Sequence, residues 1–214
     1  MHIVETLETG AAAAGVFTAA PTADIRPHLP QSRCLRATGG TSPAGSIAGY
    51  DRTMATAPAA SDVTRFLDQA IRLAAATVAG GGGPFGALVV TPDGRIHEGV
   101  NHVTRDNDPT AHAEVVAIRT AAAASATFDL SGAVLYASCE PCPLCLAAAL
   151  WARIGRVYFA ADREAAADAG FDDALFYEYF DGTRPELMPV RHTAVPASDL
   201  PFQAWRDNPD RIDY

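Results

Sequence analysis

Two short motifs constrain this chain more than any other feature: His112-Ala113-Glu114, and Pro141-Cys142-Pro143-Leu144-Cys145 about 30 residues later. Each opens a stretch of good helix formers, AHAEVVAIRTAAAA and PLCLAAALWARI, directly after a loop or a strand-length apolar run. A helix that begins at the carboxyl end of a strand points its first side chains into one crevice, so this arrangement demands alternating strands and helices with both motifs at one end.

The rest of the folded region supplies that alternation. Ser61 or Asp62 is the expected N-cap of a helix whose Val63, Phe66, Leu67, Ala70, Ile71 and Ala74 recur at helical spacing, and the glycines from Gly80 to Gly83 stop it. ALVV and RIHEGV read as strands joined by a hairpin turn at TPDG, NHVTRDNDPT as a loop, and AVLYAS and RVYFAA as further strands. Helices are expected in REAAADAG and around DDALFYEYF, followed by a proline-punctuated stretch and PFQAWRDNPDRIDY. The expected fold is an α/β sandwich with a mixed sheet.

Residues 1–60 are rich in Ala, Gly, Thr, Ser and Pro without sustained periodicity, and the sequence predicts a disordered N-terminal extension there, with Met54 as an alternative start and a catalytic domain over 61–214. No run approaches the roughly 18 apolar residues of a membrane span, and Glu5 and Glu8 stand where a secretory leader carries basic residues, so the cytoplasm is the expected compartment. The formal charge is −9, from 25 acidic residues against 16 basic ones, all arginine and nowhere clustered. A polyphosphate partner would be repelled by that balance.

Three of the four cysteines crowd into SCEPCPLC, too tightly for a disulfide framework and well for gripping a metal. Residues three apart share a helix face, which lets Cys142 and Cys145 reach one ion. With His112 they make one imidazole and two thiolates, leaving the fourth position of a tetrahedral Zn²⁺ open, as in catalytic sites. Glu114 is then the proton carrier: it takes a proton from water, protonates a ring nitrogen and helps protonate the departing amine. The ordered pair HxE and PCxxC is the signature of zinc deaminases. HAE alone is a common helical tripeptide and PCxxC alone fits a structural zinc half-site, so their combination carries the argument. Cys139 has the same spacing from Cys142 as Cys142 has from Cys145 and is assigned to the strand end; were it a fourth ligand, the site would be a closed structural zinc module.

Beyond these motifs, GGPFGA, NDPTAHAEVVAIR, LYASCEPCPLCLAAALWAR, AGFDDALFYEY, PFQAWR and the terminal tyrosine resemble the bacterial guanine deaminases of the cytidine deaminase superfamily, from about Phe66 to the end of the chain. That resemblance implies a three-layer α/β sandwich, a mixed five-stranded sheet with helices on both faces, one Zn²⁺ per subunit, and a homodimer that exchanges C-terminal segments. It implies that His112, Cys142 and Cys145 hold zinc, that Glu114 and Asp173 are catalytic, and that Phe85, Asn101, Ala113, Trp151, Asp173 and Tyr214 bind substrate. By the same resemblance Phe85 would stack on the purine, Asn101 would bond the ring, Trp151 would shape the wall, Asp173 would bind near the exocyclic amine, and Tyr214 would close the site, from the partner chain if the segments are exchanged.

Each carry-over has an ordinary reading beside it. Phe85, Trp151 and Trp205 fit core packing, Asn101 a turn, and Asp172 with Asp173 a helix cap and first turn. DNPDRIDY departs from the family's tail, with Pro209 as a helix breaker. The expected reaction is hydrolysis of guanine to xanthine and ammonia. Guanosine, cytosine, cytidine and ammeline carry the same C–NH₂ beside a ring nitrogen and remain alternatives. A tRNA adenosine deaminase is disfavoured by an acidic C-terminal region without lysine.

Overall fold

Four strands build the sheet of the computed structural model, which describes residues 57–214. β1 (Gly86–Val90) and β2 (Ile96–Val100) form the expected antiparallel hairpin. β1 also pairs antiparallel with β3 (Val134–Cys139), and β3 pairs parallel with β4 (Arg156–Ala161), giving the order β2-β1-β3-β4. The extension expected over 1–60 lies, through residue 56, outside the described residues, as does Cys34.

Helices cover both faces. α1 (Ala60–Ala79) lays Phe66 and Ala70 against Leu88, Val134 and Tyr136 on one side. On the other, α3 (Ala113–Ser125) and α4 (Pro143–Trp151) pack Ala113, Ala117, Ala121 and Ala149 onto Ala87, Val89 and Leu135. Alternate residues of β1 and β3 thus feed opposite cores, which is why both strands are apolar almost throughout. Small side chains let α3 sit close: a Cβ at Gly99 of β2 would lie 2.2 Å from the Ala113 carbonyl oxygen and 2.4 Å from the Ala117 nitrogen. Glycine at 99 therefore fixes the height of the helix whose first turn carries Glu114.

The α/β sandwich with a mixed sheet is as expected, but four strands are present where five were. After β4 the alanine-rich segment REAAAD turns helical, and Asp162 caps it by accepting the Ala165 N–H at 2.9 Å, so the chain leaves the sheet as α5 (Arg163–Asp168) and then α6 (Ala174–Phe180). α1 begins at Ala60, with Ala59 at the N-cap and no side-chain cap, rather than at Ser61 or Asp62. Asp62 instead pairs with Arg65 in the first turn at 2.9 Å. The loop after β2 contains a short helix, α2 (Val103–Asp106), that periodicity cannot register at four residues.

The described residues divide into two compact units, residues 57–188 with Tyr214, and residues 189–213. The second contains α7 (Leu200–Asp207), started with Pro201 in its first turn and stopped before Pro209. Its Asp199 accepts from Gln203 at 3.0 Å and from Arg206 at 3.3 Å. Among the described residues no helix is long and apolar enough to cross a membrane.

Candidate active site

Both motif heads occupy the N-cap position of their helix. His112 precedes α3 and Cys142 precedes α4, each with extended backbone and neither using its side chain as a cap. The loop before His112 is set by Asp108, whose Oδ1 accepts from the Thr110 N–H at 2.8 Å and from the Thr110 hydroxyl at 2.7 Å. Pro143 suits the first turn of α4, where an amide hydrogen would have no helical partner. Freed from capping, the imidazole and the thiol turn toward each other.

Cys142 Sγ and Cys145 Sγ each lie 3.5 Å from His112 Nδ1 and 3.6 Å from one another. A regular tetrahedron with bonds of about 2.3 Å to sulfur and about 2.0 Å to nitrogen spaces two sulfurs about 3.8 Å apart and sulfur from nitrogen about 3.5 Å apart. The three donors therefore fit zinc, in spacing as in chemistry, and a zinc held by them would keep a position for water or substrate. Cys139 is not in this set: it ends β3, and its thiol bonds the Asp162 carbonyl oxygen.

Charge at the cluster is arranged by the same contacts. The hydrogen bond between the two sulfurs, with His112 beside it, holds Cys142 down to about 4, while Cys145 is pushed up by that bond and by burial. The α4 N-terminus adds its dipole to the preference for a thiolate at Cys142. His112 is pushed up mainly by its hydrogen bond to Cys142. Glu114 is 7% exposed, its Oε2 3.3 Å from Cys145 Sγ, and burial pushes its carboxyl up. A carboxyl so placed beside the metal donors readily holds and releases a proton.

A cavity of about 320 Å³ opens on this cluster, and Phe85, Asn101, His112, Glu114, Cys142 and Asp173 all line it. Asp172 and Asp173 divide their work: Asp172 Oδ1 accepts the Ala174 N–H at 2.9 Å, whereas Asp173, at the N-cap of α6, makes no capping bond. Burial, and then the Cys142 thiolate, push the Asp173 carboxyl up.

Three residues expected to contact substrate do not line the cavity of this chain. Ala113 is buried in the core beneath α3. Trp151 is 68% exposed at the end of α4, and Tyr214 is 71% exposed with its ring 6.2 Å from that of Trp151. Neither is among the residues lining the cavity. Sequence reasoning passed over Phe171, which lines the cavity and meets the Phe85 ring at 86° with centroids 5.0 Å apart. It also passed over Glu140 and Arg163 at the wall, where Glu140 accepts the Arg163 backbone N–H at 3.3 Å. Phe171 stands two residues before Asp173, and that proximity was the available signal.

The cytidine and deoxycytidylate deaminase zinc-binding region matches residues 60–161. Guanine deaminase of Bacillus subtilis (strain 168) is 46% identical over 151 residues, 70% of this chain and 97% of that protein. The X-ray structure of guanine deaminase from Bacillus subtilis superposes with a TM-score of 0.67 at 44% identity, covering 71% of this chain and 98% of that one. A tRNA-specific adenosine deaminase of Agrobacterium fabrum is 47% identical over 79 residues, but these are 36% of this chain and 51% of that protein.

Proposed function

The chain belongs to the guanine deaminase family, within the zinc-dependent cytidine and deoxycytidylate deaminases, and from that membership we propose that it hydrolyses guanine to xanthine and ammonia. The observation that carries the reading is one cavity lined by Glu114, Asn101, Phe85 and Asp173 together with His112 and Cys142 of the zinc-donor cluster. Its volume, about 320 Å³, is at the small end for ligand sites and is sufficient for a purine base.

His112, Cys142 and Cys145 would hold the zinc, which when bound supplies a nucleophile by acidifying water toward neutral pH. Phe85 stacks on the purine and Asn101 bonds its edge, presenting the amine-bearing carbon to the metal side of the cavity. Glu114 accepts the proton that water loses and passes it to the ring nitrogen next to that carbon as the C–O bond forms. Asp173 orients the exocyclic amine; Glu114 then takes the remaining proton from the hydroxyl now on that carbon and delivers it to the amine, which leaves as ammonia when the C–N bond breaks. The oxygen stays on the ring, so guanine and water become xanthine and ammonia.

Tyr214 and Trp151, exposed in one chain, support a homodimer in which residues 189–214 complete the partner's site. Three free thiols among the described residues, two of them metal donors, support a reducing, cytoplasmic location. The test is purified, zinc-quantified protein incubated with guanine, guanosine, cytosine, cytidine, adenine and ammeline. Xanthine and ammonia in equal amounts, with guanine preferred, is the expected result; zinc-loaded protein inert to guanine but active on another base would overturn the substrate. Sedimentation of the same sample should give a dimer mass, and a monomer that is fully active would overturn the exchange.

A further inference from the structure

Asn101 has its carboxamide fixed at one end. Its Oδ1 accepts the Val103 N–H at 3.2 Å, and its own backbone N–H donates to the Phe85 carbonyl oxygen at 3.1 Å. The oxygen's partner is a backbone amide, which settles the orientation of the group: Nδ2, with its two hydrogens, is the end not committed to Val103. Asn101 is 8% exposed and lines the cavity, so what it can offer a base is a donor, matched by a ring carbonyl or an unprotonated ring nitrogen.

The chain that lies against this amide is the glycine run ahead of Phe85. Thr104 of α2 donates to the Gly81 carbonyl oxygen at 2.8 Å, and the Phe85 N–H donates to that of Gly83 at 2.8 Å, which ties the run to the loop carrying Asn101. A Cβ on Gly83 would stand 3.1 Å from both Cγ and Oδ1 of Asn101 and 3.5 Å from Nδ2. Ordinary carbon contacts are longer, so the amide would have to move by a few tenths of an ångström. Because Oδ1 is tied to the Val103 N–H, already at the long end of good geometry at 3.2 Å, that movement works against this hydrogen bond.

We propose that Gly83 is a positioning residue for substrate binding: by carrying no side chain it leaves the space in which the Asn101 carboxamide is held, and so sets the affinity of the site for the base. This rests on the reading of Asn101 as a contact to the base. Its effect falls on binding common to ground state and transition state, so it moves KM and leaves kcat.

The experiment measures kcat, KM and zinc content for wild type, Gly83→Ala, Asn101→Ala and the double variant. Gly83→Ala should raise KM for guanine about five- to tenfold, the worth of one hydrogen bond, with kcat within about twofold and one zinc per chain. In the Asn101→Ala background the same substitution should change KM by less than about twofold, because no carboxamide remains to be displaced. Unchanged KM in Gly83→Ala, or an equal penalty in both backgrounds, would overturn the proposal. Should Gly83→Ala fail to fold, a folded double variant supports it and an unfolded one overturns it. If wild type ignores guanine but turns over another base, the substrate reading fails, and the four-variant comparison on that base still decides the role of Gly83.

Discussion

The Cys139 thiol donates to the Asp162 carbonyl oxygen across 3.5 Å, joining the end of β3 to the residue that caps α5. Burial pushes this thiol up, so it stays protonated and able to donate. Cys139→Ser should therefore retain one zinc per chain, while Cys142→Ser and Cys145→Ser should lose it. Metal analysis of the three proteins decides between an open three-ligand site and a closed four-ligand one; loss of zinc from Cys139→Ser would make the site structural.

Glu114 lines the cavity beside the donors without belonging to their set. Glu114→Gln keeps the shape and the Cys145 contact but cannot take a proton. It should bind zinc as wild type does and lose on the order of 10²- to 10⁴-fold in kcat. Steady-state rates with parallel metal analysis test this, and near-normal turnover would remove Glu114 from the mechanism.

The strands, the main helices and the heads of both motifs were legible because each has a local cause: apolar runs of strand length, alanine-rich segments, Pro143 at a helix start, Pro209 at a helix end. The strand count was not, since it came from likeness to a family, and whether a fifth strand pairs with β4 depends on a long-range contact that no local pattern encodes. Asp172 and Asp173 form one acidic pair in sequence and both line the cavity; only the geometry of α6 assigns the capping bond to Asp172 and leaves the Asp173 carboxyl without one. Trp151 and Tyr214 were expected at the pocket, and in a single chain they lie exposed beside each other instead.

Gly99 separates a packing effect from a chemical one. A methyl group there would meet backbone atoms of Ala113 and Ala117, which cannot yield as a side-chain tip can. Gly99→Ala should cost about 1–3 kcal/mol of stability or more through overpacking, read as a lower urea midpoint with unchanged slope. Because α3 starts just after His112, the same variant should bind zinc more weakly. A stable variant with normal zinc affinity would mean that α3 shifts on the sheet without disturbing its first turn.

The hairpin between β1 and β2 should leave a signature in acid. Asp93 is held down to about 2, first by the Thr91 hydroxyl, which donates to its Oδ1 at 2.5 Å, and then by Arg95, which donates to its Oδ2 at 2.6 Å. A carboxyl whose folded value lies below its unfolded one, near 3.8, binds fewer protons folded than unfolded in that interval. Its contribution is complete above about pH 4 and is lost as pH falls through about 2. Other carboxylates, Asp108 and Asp129 among them, are also held low, so the measurement is a difference: Tm against pH from 5 to 2 for wild type and Asp93→Asn. The variant should be less stable at pH 5, and the gap should narrow as the solution is acidified. A gap that stays constant to pH 2 would show that the penalty comes from geometry that asparagine fails to reproduce and not from the charge of Asp93.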